Sequence, residues 1–307
     1  MAHALVSKLS LLALVAGVAL PGVALAQQRS ASERAGEEFS FALRGAGEYT
    51  FGADLKDVAG SVRIARASSG LGIGYFATEE LRLGLDFENE FTWYDFKGAN
   101  GFIPGTDNPF SQTTSYSLTP NASYSIDDEW TVIASVLLDW SQEGADPSSD
   151  GFTAGGIIGA RYTFSKDFAL TFGLIGRSRL EESARYLPLI GIEWQIDEKL
   201  RFSVRGPGAE LTLKLDDEWS VFLDGQFRSR EFRLDSDNPL PKGVIRDRRV
   251  ILGTGVSYRP TKFFDISLRG GVVAWQEFTV DDRRGNEQRE INTDPAPFVS
   301  LTATLRF

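Results

Sequence analysis

The sequence predicts an all-β chain that forms a transmembrane antiparallel up-and-down β-barrel of about 14 strands. Three observations support this fold class. Apolar and polar residues alternate with a period of two from residue 38 onward, short polar turns alternate with longer polar connections, and the N-terminus carries an export pattern. A strand shows a period of two and a helix a period of 3.6, so the pattern favours strands throughout.

The N-terminus predicts export from the cytoplasm. Lys8 precedes an apolar run over residues 9–20, and the small-residue pattern Ala24-Leu25-Ala26 follows. A positive start, an apolar middle and an A-x-A-like site are typical of a cleaved signal peptide. The run is shorter than the roughly 20 residues of a spanning helix. We therefore expect a signal peptide at 1–26, a disordered segment at 27–37 and an outer-membrane barrel at 38–307.

Composition excludes several classes of chemistry. The chain has no cysteine, and its one histidine lies at position 3, inside the expected signal peptide. Thiol nucleophiles, thiolate metal sites and Ser-His hydrolases are therefore not expected in the exported chain. The formal net charge of −10 argues against a nucleic-acid partner. We predict no enzyme activity, no catalytic residue, no metal site and no cofactor.

The stretch from Trp130 to Trp140 shows the alternation most clearly. Its even positions are apolar, whereas the odd positions include Thr131, Ser135 and Asp139. Ten steps of about 3.3 Å, tilted near 40°, cover roughly 25 Å along the membrane normal. This matches the apolar band of an outer-membrane barrel and places a tryptophan at each interface. We expect an aromatic girdle of Trp93, Trp130, Trp140, Trp194 and Trp219.

The connections fall into two classes by length. Short polar turns recur, and the tetrapeptide Asp-Asp-Glu-Trp occurs at both 127–130 and 216–219. Longer polar connections lie between them, at 95–111, 142–151, 235–246 and 281–294. Short periplasmic turns and long external loops are typical of bacterial barrels. Residues 200–215 hold two unusually short strands, so twelve strands is the alternative if this stretch does not join the wall.

The end of the chain supports the same location. The last strand alternates, and Leu301 and Leu305 share a face with the terminal Phe307. This ending resembles the assembly signal of bacterial outer-membrane barrels. The resemblance implies barrel-assembly machinery and periplasmic chaperones as partners.

A second resemblance covers residues 185–235. Its motifs are L-P-L-x-G-I-x-W at 187–194, the Gly-Pro-Gly hairpin at 206–208 and the D-x-W turn ending at Trp219. The stretch is similar to a family of outer-membrane β-barrels of unknown function. The resemblance implies fold and location, and it carries no catalytic residues.

Charged residues on the polar faces are the candidate functional side chains. Carboxylates on one predicted strand and arginines on later strands are expected to line the lumen: Asp86, Glu88, Glu90, Arg177, Arg179, Arg228, Arg230 and Arg269. Opposing charged walls select ions in a water-filled pore. Alternatively, the charges pair with one another and fill the interior.

The leading functional prediction is a passive porin-like channel or a structural barrel in the outer membrane, reached by export through the inner membrane. Its expected contacts are outer-membrane lipid, lipopolysaccharide and small solutes. Two alternatives remain open. An outer-membrane enzyme acting on lipid or protein is disfavoured because histidine is absent from residues 27–307. A soluble periplasmic β-sandwich binding protein would bury the same alternating faces between two sheets.

Overall fold

A computed structural model describes residues 38–144 and 149–307. The predicted signal peptide and the predicted disordered segment 27–37 lie outside these residues. The described chain forms fifteen β-strands and a single turn of 3₁₀ helix at Ser149–Gly151. The strands are β1 (Phe39–Asp54), β2 (Ser61–Phe76), β3 (Leu81–Lys97), β4 (Gln112–Ser125), β5 (Trp130–Glu143), β6 (Phe152–Ser165), β7 (Phe168–Arg177), β8 (Arg185–Gln195), β9 (Leu200–Arg205), β10 (Gly208–Lys214), β11 (Trp219–Arg233), β12 (Val244–Thr261), β13 (Phe264–Asp281), β14 (Glu287–Asn292) and β15 (Ala296–Arg306).

Fourteen of these strands close into an antiparallel barrel. Each strand from β1 to β13 pairs with the next in sequence, and β15 closes the wall between β13 and β1. The predicted fold class is confirmed. The short strands β9 and β10 join the wall between β8 and β11, which excludes the twelve-strand alternative.

Strand β14 was not predicted. Residues 281–294 have the composition of a polar loop, but β14 within them pairs with the last five residues of β13. At 18 residues, β13 is much longer than β15, which pairs with it only as far as Val273. The exposed edge of β13 beyond that point is available to the returning chain, and an unpaired edge is a template for another strand.

Six short turns, those that precede β3, β5, β7, β9, β11 and β13, lie at one end of the barrel, which we call the turn end. Three of them share one geometry. The carboxylate oxygens of Asp127, Asp197 and Asp216 each accept hydrogen bonds from the backbone N–H groups two and three residues further on, at 2.7–2.9 Å. The Thr78 hydroxyl accepts the corresponding bonds in the β2–β3 turn. A side chain that completes a turn in this way explains why similar tetrapeptides recur.

Alternation places an apolar belt on the outside of the barrel. Val136 is 48% exposed on the outer face of β5, whereas Leu137, one position along, is 2% exposed. Phe41, Leu83, Phe172 and Leu252 are also exposed. In the described part of the chain, no helix is long and apolar enough to cross a membrane.

The wall is uneven in height at the opposite end, which we call the loop end. Strands β12 and β13 have 18 residues each, whereas β9 has six and β10 has seven. Above the short strands, Arg233 of β11 pairs in parallel with Gln142 of β5. At the loop end, this contact joins β5 directly to β11. The five strands between them, β6–β10, therefore form a side lobe of the barrel.

Candidate functional site: the barrel interior

The inward face of the barrel carries charge at mid-height. Register places Glu48 of β1 opposite Arg66 of β2, and Arg228 of β11 opposite Arg249 of β12. Strand β3 contributes Asp86, Glu88 and Glu90 at alternate positions. Residues two apart on a strand point to the same face, so one polar face suffices to place all three carboxylates inside.

Six inward-facing side chains at mid-height form a layer across the lumen, which we call the cross-lumen layer: Glu48, Arg66, Glu90, Arg230, Asp247 and Arg249. Arg230 donates two hydrogen bonds to the Glu90 carboxylate, each 2.5 Å long. Five wall strands separate β3 from β11 along the shorter path around the barrel. This bidentate pair therefore bridges the interior from one side to the other.

Three further contacts complete the layer, and the first joins neighbouring strands: the Arg66 guanidinium donates to the Glu48 carboxylate at 3.3 Å. The Arg66 guanidinium lies 2.7 Å from the Asp247 carboxylate, which joins β2 to β12. The Arg249 guanidinium lies 2.7 Å from the Glu48 carboxylate. Arg249 is fully buried. Among the described residues, none of its three guanidinium nitrogens has a hydrogen-bond partner, so the buried charge depends on the neighbouring carboxylates of the layer, Glu48 first among them.

An apolar core closes the barrel on the loop-end side of this layer. Phe102, Ile103 and Phe110 come from the connection between β3 and β4, and all three are buried. They pack against wall residues. The ring centroids of Phe102 and Phe278 lie 5.4 Å apart, and those of Phe110 and Phe232 lie 5.2 Å apart. The loop predicted at 95–111 thus fills the barrel mouth. We call the apolar cluster that its residues form with the wall the outer core.

Side chains on the turn-end side of the layer form smaller, separate contacts. Arg44 lies 3.1 Å from Asp86, and Asn121 also donates to Asp86 at 3.1 Å. Arg269 makes a bidentate pair with Asp224 at 2.7 and 2.5 Å. Glu88 forms no hydrogen bond or ion pair within residues 38–144 and 149–307. The Glu88 carboxylate is therefore attracted by Arg228 and Arg44 without a direct contact to either.

The side lobe has a different lining. Ile133 and Leu137 of β5 pack with Ile157, Ile175 and Leu189 of the neighbouring strands into a buried apolar cluster. Charged residues flank the cluster: Arg177 lies 3.1 Å from Asp139 on one side, and Arg161 lies 3.0 Å from Glu193 on the other.

The structure places most of the predicted charged residues on the inner wall, including Asp86, Glu88, Glu90, Arg177, Arg228, Arg230 and Arg269. Arg179 is an exception. It was predicted to line the lumen from a strand, but β7 ends at Arg177. Arg179 lies in the following connection and contacts Glu182 and Glu231.

Sequence reasoning missed Glu48, Arg66, Asp247 and Arg249. The period-two pattern of β1 and β2 places Glu48 and Arg66 on inward faces, so their position was detectable. Their partners across the lumen were not, because pairing between distant strands depends on the curvature of the closed wall.

The predicted aromatic girdle residues lie on the outer face. Near the turn end, Trp130 packs against Tyr162 with centroids 4.7 Å apart, and Trp219 packs against Tyr258 at 4.5 Å. Trp194 is exposed at the same end. Trp93 and Trp140 lie toward the loop end of β3 and β5. Leu301, Leu305 and Phe307 are exposed, and the backbone of Phe307 pairs with that of Phe41.

Comparison with known families gives one decisive match. The model of a domain of unknown function, DUF6268, matches residues 111–302. The chain belongs to this family. No curated protein matches the sequence.

Solved structures show only distant similarity to this DUF6268 member. The COG4313 outer membrane channel from Pseudomonas putida F1 is 10% identical, with a TM-score of 0.46 over 88% of this chain and 96% of that chain. The Pseudomonas putida toluene transporter TodX is 12% identical, with a TM-score of 0.44 over 95% of both chains. A Pseudomonas aeruginosa FadL homologue is 9% identical, with a TM-score of 0.42 over 91% of this chain and 93% of that chain. Similarity at this level does not indicate a shared solute.

Proposed function

We propose that this protein is an outer-membrane channel for small solutes whose interior is closed in the resting state. The apolar outer belt and its aromatic residues suit a lipid environment. A bilayer is spanned by either helices or closed barrels, and this chain has the second arrangement.

The cross-lumen layer is the observation that carries the proposal. Apolar side chains would fill a permanently closed interior at lower cost, because buried ion pairs often stabilise less than apolar residues of similar volume. Charged side chains can be rehydrated when the interior opens, and rings of charge select permeating ions. A layer of paired charge therefore suits an interior that alternates between dry and hydrated states.

The outer core favours a second candidate, a static barrel with a structural role. Phe102, Ile103 and Phe110 close the loop end with apolar contacts that water does not enter readily. On this interpretation the ion pairs are filling and the barrel never conducts.

Conductance in planar bilayers separates the two candidates. The test variant combines Glu90→Ala and Arg230→Ala with replacement of residues 99–108 by a short Gly-Ser linker. Removing both partners of the pair leaves no unpaired charge from that pair. We expect steady conductance from this variant and brief openings from the wild-type protein.

The matched control removes an exposed ion pair at the turn end, Lys214–Asp217, by Lys214→Ala and Asp217→Ala. It should conduct like the wild-type protein. A test variant that folds, as shown by slower gel migration after heating, but gives no conductance would overturn the channel proposal in favour of the static barrel.

A further inference from the structure

The wall of the barrel has a gap between β8 and β11 at the loop end. Strand β9 pairs with residues 191–195 of β8, and β10 pairs with residues 220–226 of β11. The facing edges at residues 185–190 and 228–232 therefore have no strand partner within the described chain. At about 3.3 Å per residue, the unpaired edge of β8 is about 20 Å long.

The β8 side of this gap matches an apolar surrounding, whereas the facing edge of β11 is polar and carries Arg228, Arg230 and Glu231. Tyr186 and Ile190 of β8 are 77% and 51% exposed on the outer face. Pro188 lies between them. Proline has no N–H to donate and is confined to strand edges or bulges within sheets, which is consistent with an edge left open here.

Residues 178–184, which we call the cover segment, cross from β7 to the far side of this gap. The Leu180 N–H donates to the Glu231 carboxylate of β11 at 3.1 Å, and Leu180 itself is 4% exposed. Arg233 of β11 lies 2.6 Å from Glu181, and Arg246 of β12 contacts Glu182. Apart from Leu180, polar contacts rather than a continuous sheet hold the cover segment in place.

The interior behind the β8 side of the gap holds the apolar cluster of the side lobe, with the Arg177–Asp139 and Arg161–Glu193 pairs beside it. Leu187 and Leu189 point inward from the unpaired portion of β8, and Leu189 packs with Ile175, Ile157 and the β5 residues of the side lobe. The mid-height interior towards β2 and β12 is instead charged, and the barrel mouth is closed by the outer core. On the β8 side of the gap, an apolar lining therefore meets the apolar outer surface.

We infer that the wall between β8 and β11 is a side port through which uncharged apolar molecules pass between the surrounding lipid and the side lobe, with the cover segment as its closure. This inference goes beyond the proposed channel function, since it concerns another part of the wall and another class of solute. The port opens when the cover segment loses its contacts with Glu231, Arg233 and Arg246. The hydrogen bonds between paired wall strands stay intact.

Cysteine labelling in proteoliposomes tests the port. The chain contains no cysteine, so an introduced one reports alone. Leu189→Cys reports on the side lobe, and Ile175→Cys is a second reporter in the same cluster. Each is treated with uncharged N-ethylmaleimide and with a sulfonated, charged maleimide, before and after the closure is weakened by Glu181→Gln and Glu182→Gln.

We expect the weakened closure to speed labelling by the uncharged reagent roughly tenfold at both reporter positions, which corresponds to a shift of about 1.4 kcal/mol in the opening equilibrium. The charged reagent should gain much less. Ile64→Cys, buried in the outer core at 1% exposure, is the matched control and should not respond.

Three results would overturn the inference: no change at either reporter, an equal gain for the charged reagent, or an equal gain at Ile64→Cys. The last two would indicate a water-filled opening or general loosening. None of these readouts depends on ion conductance, so the port and the proposed channel can fail separately. Heat-dependent gel migration confirms that each variant retains the barrel.

Discussion

Breaking the Glu90–Arg230 pair should cost far more free energy of unfolding than breaking an exposed pair. Both side chains are 17% exposed, and the guanidinium makes two hydrogen bonds to the carboxylate. Removing one partner of a buried pair typically costs about 3–5 kcal/mol, because the other charge is left uncompensated. Glu90→Ala and Arg230→Ala should each fall near the lower end of this range, since neither group is completely dry.

The double variant separates the pair itself from the cost of an orphaned charge. Replacing both residues removes the charge as well as its partner, so we expect the double variant to lose less stability than the sum of the single variants. A coupling of about 1.5 kcal/mol or more is expected, within the range measured for close charge pairs at buried interfaces. The assay is urea unfolding in lipid vesicles, followed by tryptophan fluorescence, in a complete double-mutant cycle.

The Lys214–Asp217 pair provides the comparison. Its side chains are 50% and 97% exposed, although the nitrogen–oxygen distance is only 2.7 Å. Exposed pairs contribute about 0–1 kcal/mol. If the coupling of Glu90 with Arg230 is no larger than that of Lys214 with Asp217, then the interior at this height is hydrated and the description of a closed layer is wrong.

Three further predictions concern the wall and the turns. Val136→Arg should destabilise the barrel by about 2–4 kcal/mol in lipid, and Ser135→Arg much less; equal losses would contradict the assignment of faces. Gly271→Ala should destabilise the barrel, because the Cβ of the new alanine would lie 2.1 Å from the backbone oxygen of Leu252. Gly45→Ala should be tolerated in the same unfolding assay, because no atom lies within 4 Å of its Cβ. Hydrogen bonds from two backbone N–H groups lower the pKa of the Asp197 carboxyl. The carboxylate therefore stabilises the folded barrel above the ordinary carboxyl pKa, and this stabilisation is lost as pH falls through the lowered value. Asp197→Asn should lower the urea midpoint relative to the wild-type protein at neutral pH, and the difference should shrink as pH falls below about 4.

Most of the wall could be predicted from the sequence because a strand has a local signature. Trp130 to Trp140 shows its two faces in eleven consecutive residues, and the recurring turn at Asp127 and Asp216 marks where such strands reverse. The same local reasoning placed Asp86, Glu88 and Glu90 on an inward face. It also placed Arg179 on the lumen wall and missed β14, because the ends of strands depend on which neighbours extend beyond them.

Several expectations drawn from the sequence stay predictions. These are the cleaved signal peptide, the role of Phe307 in assembly, and contacts with lipopolysaccharide and periplasmic chaperones. None depends on the geometry of the interior, and each can be tested on its own.

By itself, the sequence determined the fold class, the polarity of each face and the grouping of the short polar turns at one end, since these follow from a period of two and from turn chemistry; the choice between twelve and fourteen wall strands needed the pairing of β9 and β10. The tertiary structure alone decided which charges meet. Glu90 and Arg230 are 140 residues apart and come together because the closed wall brings β3 and β11 to opposite sides of one narrow interior. The unequal strand heights and the cover segment were likewise undetermined by alternation, because a face pattern states where a side chain points and not how far the neighbouring strand extends.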